Sequence, residues 1–156
     1  MYRKILAPMD GSPFSECTIE HVKAIAAGCN VPEVVLLRVV EPMSSNDLAA
    51  LGQMSATSLE QVEAWKKSEA TEYITRIVQR LTQEGLSAKG EIVSGKAEDQ
   101  ILDYANNNHV DIIIMSTHGR SGIARWAFGS VADRVVRSSA VPVLTVAPPG
   151  CRATPI

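Results

Sequence analysis

The residues best suited to chemistry lie between Ser116 and Ser130, a stretch with three glycines and no acidic residue. Glycine lets a backbone approach a ligand without interference from a Cβ atom. Arg120 and Arg125 bring positive charge, and Ser130 supplies a hydroxyl where a helix is expected to begin. A strand that leads through such a loop into a helix offers N–H groups and the positive end of the helix dipole to an anion, most often phosphate. The alternative is that the glycines only form the turn that any strand–helix connection needs.

The segments on either side of this loop predict the elements that hold it. Ile112–Met115 is an apolar run typical of a buried strand, predicted as Asp111–Met115, and residues 131–137 have the apolar spacing of a helix. A second candidate, Asp10, directly follows a short apolar strand, and Ser12 and Pro13 then start a helix as its cap and first residue. Asp10 therefore lies at the carboxyl end of strand one, where open α/β sheets bind ligands. Taken alone, it is more simply a turn residue bonding its own backbone.

The rest of the chain alternates between strand and helix patterns. Helical spacing continues from Ser12 to residue 29 and places His21 on or near the apolar face. A loop is expected from Glu41 to about Thr57, with a short helical piece around Asp47–Leu51. The further predicted elements are a strand at Val34–Val40, a long helix at Ser58–Glu84, a strand at Ala88–Val93, a helix at Ala97–Asn107 and a strand at Val141–Val146.

This alternation predicts an α/β fold: a single-domain, doubly wound, Rossmann-like parallel sheet of five strands with helices on both faces. With strand one at the centre, the direction of winding switches between strands one and four. Asp10 then lies beside the Ser116–Ser130 loop, in the crevice where such folds bind ligands. Because these two features converge, together they favour nucleotide binding more strongly than either feature does alone.

Length and composition narrow the function classes. The 156 residues suit one domain, taken as residues 1–147 with a loose tail at 148–156, and a net charge of −2 gives no reason to expect nucleic acid. No apolar run approaches a membrane span, and three cysteines without a paired spacing indicate free thiols, so a cytoplasmic protein is expected. Pro142 marks Val141–Val146 as an edge strand, which a homodimer through that strand or a covering tail would protect.

Three weaker patterns do not support other chemistries. Gly90–Ala97 has the spacing of a P-loop up to its lysine, but Ala97 replaces the magnesium-binding hydroxyl. Gly119–Gly122 lacks the full spacing of a hydrolase nucleophile elbow. The histidines and cysteines show no zinc spacing, and His118, the histidine within reach of the crevice, is interpreted as a structural or ligand-contacting residue. No catalytic residue and no metal ligand is assigned.

Over about Tyr2–Ala147 the chain resembles the universal stress protein family. Four stretches carry the resemblance: Ile5–Ser12, Met115–Gly122, Phe128–Ala132 and Val141–Leu144. The nucleotide-binding branch of that family carries a glycine, two residues, a glycine, nine residues, and then Gly-Ser or Gly-Thr. Here Gly119, nine residues and Gly129–Ser130 fit this pattern, and Ser116 stands in place of the first glycine. The serine could weaken binding or favour another nucleotide, or its hydroxyl could replace a water molecule.

The resemblance implies strand order 3-2-1-4-5, a homodimer through strand five, and ATP or AMP in the crevice, with or without Mg²⁺. Asp10 would lie near the ribose or a metal, and Arg120 is added from its position alone. The nucleotide-binding residues so implied are Pro8, Met9, Asp10, Val39, Met115, Ser116, His118, Gly119, Arg120, Gly129, Ser130 and Val131.

Three functions remain open from the sequence. The first is an adenine-nucleotide-binding regulatory protein of the stress response that acts as a homodimeric switch. The second is a slow Mg²⁺-dependent ATP hydrolase or phosphotransferase, whose activity would be weak because no general base or P-loop lysine is evident. The third is a ligand-free dimeric interaction module, for which Ser116, Trp126 and Phe128 are the available hints.

Overall fold

A computed structural model describes residues 2–43, 56–118 and 129–147, apart from the side chains of residues 56 and 57. Strands and helices alternate as the sequence predicts. In chain order they are β1 (Lys4–Pro8), α1 (Pro13–Glu16), α2 (Ile19–Gly28), β2 (Glu33–Val40), α3 (Ala56–Gln83), β3 (Ala88–Ser94), α4 (Ala97–Asn107), β4 (Ile112–Ser116), α5 (Ser130–Ser138) and β5 (Val143–Val146). The predicted helical piece at Asp47–Leu51 and the tail at 148–156 lie outside the described residues.

The strands form one parallel sheet in the order β3-β2-β1-β4-β5, which confirms the predicted order. β1 is central: Leu6 pairs with Val35 of β2 on one side and with Ile113 of β4 on the other. All three of these side chains are fully shielded or nearly so, because helices cover both faces of a parallel sheet. β5 is an edge strand, as predicted, although it begins at Val143 rather than at Val141.

Two helical layers sandwich the sheet, as predicted. On one face, α2 and α3 pack against alternate strand residues such as Ile5, Ala7 and Leu36. On the other, α4 and α5 pack against the intervening residues, among them Leu6 and Leu37. Each strand thus contributes to both layers, since successive strand side chains point to opposite faces.

The helix predicted from Ser12 to residue 29 is instead two helices. Its start is confirmed, because the Ser12 hydroxyl accepts a hydrogen bond from the Ser15 N–H at 3.2 Å and Pro13 is the first helical residue. The break follows from Thr18, whose fully buried hydroxyl donates to the Ser15 carbonyl at 2.7 Å. Such a bond competes with the helical backbone pattern.

The predicted packing of His21 is wrong, since the side chain is exposed. After the break, the buried positions of α2 are Ile19, Val22 and Ala26. His21 lies about 200° around the helix axis from Ile19, on the outer side.

The long helix α3 lies directly on β3. Its second half buries Ala70, Ile74, Ile77 and Leu81. At Gly90 of β3, a Cβ atom would lie 2.2 Å from Cγ2 of Ile74, so glycine permits this close contact. The 28 residues of α3 extend about 42 Å, whereas the eight residues of β2 span about 26 Å. The first turns of α3 therefore extend past the sheet.

Within the described part of the chain, no helix is long and apolar enough to cross a membrane. Cys17 and Cys29 are free thiols, in agreement with the prediction for these two residues. Cys151 lies outside the described residues.

Candidate functional site

The turn after β1 holds Asp10 in a fixed orientation. Its Oδ1 atom accepts hydrogen bonds from the Ser12 N–H at 2.9 Å and the Ser12 hydroxyl at 2.6 Å. Gly11 has a φ of +83°, a conformation that costs glycine little and other residues more. The turn-forming interpretation of Asp10 is therefore correct. It does not exclude a binding role, because the same residue also lines a cavity at this edge of the sheet.

The two ends of the Ser116–Ser130 stretch meet beside β4. The N–H of Gly129 donates to the Thr117 carbonyl at 2.7 Å, and the Thr117 N–H donates to the Val146 carbonyl of β5 at 2.9 Å. The Ser116 hydroxyl donates to the His118 carbonyl, and the Thr117 hydroxyl contacts Nδ1 of His118 at 2.8 Å. These bonds hold the start of α5 at the carboxyl end of β4.

Within the described residues, helix α5 begins without a side-chain cap. Gly129 is its N-cap residue, and no described side chain accepts a hydrogen bond from the first turn. The first N–H groups of a helix have no partner within the helix, and the helix dipole makes this end positive. The start of α5 can therefore hold an anion through its backbone.

One cavity of about 610 Å³ joins these features. Its size is typical of a small-molecule site. Ten of the twelve predicted residues line it: Pro8, Met9, Asp10, Val39, Met115, Ser116, His118, Gly129, Ser130 and Val131. The other two, Gly119 and Arg120, lie outside the described residues, as do Gly122, Arg125, Trp126 and Phe128.

The cavity crosses the carboxyl ends of three neighbouring strands, β2, β1 and β4. This is the point where the winding of the sheet changes direction, and α/β sheets bind ligands there. Strand spacing of about 4.8 Å places β2 and β4 about 10 Å apart. An extended small molecule can therefore contact Val39 at one end and the start of α5 at the other.

A second helix start at this cavity is already capped. The Glu41 carboxylate accepts a hydrogen bond from the N–H of Ala97, the first residue of α4, at 3.1 Å. Gly90 and its neighbours form strand β3 rather than a phosphate-binding loop, as the sequence predicts. The start of α5, which no side chain of the described ranges caps, is better suited to an external anion than the start of α4.

The described titratable side chains near the cavity do not cluster as metal ligands would. Among the described residues, no group of three or more histidine, cysteine, aspartate or glutamate side chains could hold a metal ion. Tyr73 packs beside Ser15 of α1, and burial raises the pKa of its phenol to about 12, so it is neutral at physiological pH.

Comparison with known proteins decides the family. The sequence model of the Universal stress protein family matches residues 1–147. The chain belongs to the universal stress protein family. Universal stress protein MJ0577 of Methanocaldococcus jannaschii is 34% identical over 155 residues, covering 94% of this chain and 95% of that protein. MJ0531 of the same organism is 31% identical over 149 residues, covering 96% of this chain and 84% of that protein.

Solved structures of this family share the fold. The structure of MJ0577 matches with a TM-score of 0.81 at 31% identity, covering 95% of this chain and 97% of that one. A universal stress protein in complex with cAMP matches at 0.67 and 23% identity, with coverage of 93% and 97%. One from Archaeoglobus fulgidus in complex with dAMP matches at 0.62 and 18% identity, also with coverage of 93% and 97%.

Sequence reasoning missed Arg38, a charged residue of this cavity. Arg38 is only 8% exposed, and its Nη1 atom donates to the Met9 carbonyl at 3.5 Å. Its Nη2 atom lies 3.7 Å from the position of a Cβ at Gly11, so it packs under the Asp10 turn. A single arginine in the otherwise apolar run Val34–Val40 was the available signal, because buried arginine is rare unless paired.

Sequence reasoning also missed the contribution of α3. Trp65, Lys66 and Glu69 line the cavity from the third and fourth turns of that helix. The sequence predicts the helix, but only its position on the sheet brings these residues to the site.

Proposed function

We propose that this protein binds ATP or AMP in the cavity and acts as a homodimeric regulatory protein of the stress response. The observation that carries the proposal is the start of α5, which no described side chain caps, facing a cavity that Asp10 also lines. Two structural relatives are described in complex with cAMP and dAMP, which share an adenine base, a pentose and a phosphate. The cavity provides groups suited to each of these parts.

The phosphate belongs at the start of α5. The N–H groups of Ser130 and Val131 and the Ser130 hydroxyl are donors at the positive end of the helix dipole. Asp10, held by Ser12, is a hydrogen-bond acceptor suited to sugar hydroxyls. Val39, at the other end of the cavity, offers the apolar surface that a base prefers.

Ser116 is compatible with this placement. Its side chain is 8% exposed, and its hydroxyl donates to the His118 carbonyl within its own turn. The serine that replaces the family's first glycine thus has its hydrogen bond inside the loop. We expect it to leave the ligand space largely open.

A regulatory role is supported by a link between the site and the edge strand. Thr117 accepts from Gly129 at the start of α5 and donates to Val146 of β5. A phosphate that shifts the start of α5 would therefore act on β5, the strand through which we propose that two copies pair. Edge strands are natural pairing surfaces, because they present unpaired backbone groups.

Gly129→Asp tests the phosphate position. Aspartate is a favourable N-cap residue and Gly129 has a φ of −59°, so the helix should form. Its carboxylate would occupy the N–H groups and repel phosphate. Since hydrogen bonds to charged groups contribute about 1.5–3 kcal/mol, we expect calorimetry to show ATP or AMP binding weakened by about 10-fold to 100-fold. Gly129→Asn, a neutral cap of the same shape, is the matched control and should weaken binding less.

Nucleotide binding by the wild-type protein is the first test of the proposal. We expect about one adenine nucleotide per chain, either released on denaturation of the purified protein or bound in calorimetry with and without Mg²⁺. A wild-type protein that carries none and binds neither ATP nor AMP would refute nucleotide binding. Equal affinity in the wild-type protein and in both Gly129 variants would refute the phosphate position alone.

A further inference from the structure

The third and fourth turns of α3 form one wall of the cavity. Helix α3 packs on β2 and β3, and Trp65, Lys66 and Glu69 line the cavity where the helix extends past these strands. The start of α5 lies on the opposite side, beside β4. The cavity therefore has at one end a helix start that no described side chain caps, and a tryptophan at the other.

The packing pattern of α3 changes where the helix reaches the cavity. The side facing the sheet continues through Val62, Lys66, Ala70 and Tyr73, at intervals of four, four and three residues. Ala70 and Tyr73 are buried and apolar, whereas Lys66 is half-buried and charged. A charged residue on the packed side of a helix breaks the local rule, and such breaks are expected at functional sites. In this part of α3, the inner side faces the cavity instead of the apolar core.

Trp65 is next to Lys66 and is exposed. Its side chain is 66% exposed, the highest value among the large apolar residues of the described chain. An indole at the rim of a ligand cavity presents a flat aromatic face, and nucleic-acid bases stack on such faces. Given the spacing of neighbouring strands, one nucleotide is long enough to reach from the β2 side of the cavity to the start of α5.

We propose that the indole of Trp65 stacks on the base of the bound nucleotide and is a specificity-determining residue for ligands with an aromatic base. The proposal rests on the proposed function, since it needs a phosphate at the start of α5. It adds a contact from α3 that depends on the tryptophan of this chain. A ligand with the same phosphates but no base would gain nothing from it.

Calorimetry on three variants with two probes tests the contact. The probes are Mg-ATP and inorganic tripolyphosphate, which has the phosphates without base or sugar. Base stacking on an aromatic side chain typically changes affinity by about tenfold on alanine substitution, so we expect Trp65→Ala to bind ATP about tenfold more weakly. Trp65→Phe should stay within about threefold of wild type, and tripolyphosphate binding should not change. Val136→Ala, which removes another exposed apolar side chain (43% exposed) outside the cavity, is the matched control.

Fluorescence gives a second readout that needs no alanine variant. ATP should change the emission of the wild-type protein more than that of Trp65→Phe, because any change from Trp126 is common to both and the difference reports Trp65. Unchanged ATP affinity in Trp65→Ala, beside a wild-type protein that binds ATP, would overturn the stacking proposal and leave the proposed function intact. An equal loss for ATP and tripolyphosphate would overturn it too, since the effect would then not involve the base. A wild-type protein that binds neither probe would overturn both proposals.

Discussion

Gly90→Ala should destabilise the protein, although alanine usually suits a folded chain better than glycine. A Cβ at this position would lie 2.2 Å from Cγ2 of Ile74 and 3.4 Å from Cγ2 of Val78. Carbon atoms in good contact are about 3.5–4.0 Å apart, so the atoms at Ile74 must separate by about 1.5 Å. The Cγ2 atom cannot rotate away easily, because a β-branched residue in a helix has one strongly preferred χ1 rotamer. Helix α3 must therefore lift from β3.

Two opposing effects set the magnitude. Overpacking of this kind costs about 1–3 kcal/mol, while replacing glycine by alanine restricts the unfolded chain and stabilises by about 0.4–1 kcal/mol. The overpacking is larger, and we expect a net loss of about 1–2 kcal/mol in the free energy of unfolding. Urea denaturation should show the midpoint lowered by about 0.5–1 M, given a slope of about 2 kcal/mol per M.

Ile74→Leu provides the control for this prediction. Leucine keeps the side-chain volume but has no Cγ2 on its Cβ, so Gly90→Ala should cost less in the leucine background than in the wild type. A double-mutant cycle measures that difference. If Gly90→Ala leaves the midpoint unchanged or raises it, or costs equally in both backgrounds, the contact between Gly90 and Ile74 does not limit the packing of α3.

Two further predictions concern the ends of the sheet. Thr145→Pro should convert the proposed dimer to a monomer without unfolding the protein. Light scattering measures this change in mass. The Val146 carbonyl faces β4, so the N–H of Thr145 faces the free edge, and removing that N–H leaves the hydrogen bonds of the sheet intact. Thr145→Val is the control and should stay dimeric. A proline variant that stays dimeric would contradict pairing through β5. Asp111→Asn should reduce stability at pH 7 by up to about 1 kcal/mol. Backbone N–H groups of Arg3 (2.7 Å) and Lys4 (2.9 Å) hold the pKa of the Asp111 carboxylate below its usual 3.8. This stability is present above the unfolded pKa and is lost as pH falls through the folded pKa, so the urea midpoints of the wild type and of Asp111→Asn should converge below about pH 3.8. A difference that stays constant with pH would show that the charge of Asp111 is not its cause.

The predicted site residues came together because their positions follow from topology. Asp10 follows the end of β1 and Ser116 ends β4, and parallel strands present their carboxyl ends at one edge of the sheet. Once the order 3-2-1-4-5 is inferred, these residues must be neighbours. Their role in binding a nucleotide stays a prediction.

The errors arose where local patterns compete. Residues 12–29 fit one helical period, yet the Thr18 hydroxyl takes the Ser15 carbonyl and splits the helix. The position of His21 changed with that break. Periodicity does not record which of two possible hydrogen bonds a buried threonine will make.

By itself, the sequence determined most of the elements, the two packed faces and the glycine-containing approach to α5, because periodicity, caps and chain alternation are local properties. The order of the strands came from the resemblance to the family. The tertiary structure decided which side chains share the cavity. Arg38 is brought beneath the Asp10 turn by the β1–β2 register, and Glu41 reaches the start of α4 across the fold. Trp65 reaches the cavity because α3 is longer than the strands it covers and lies close to β3 at Gly90. Such contacts depend on how far one element extends over another, and no local pattern along the chain encodes that distance.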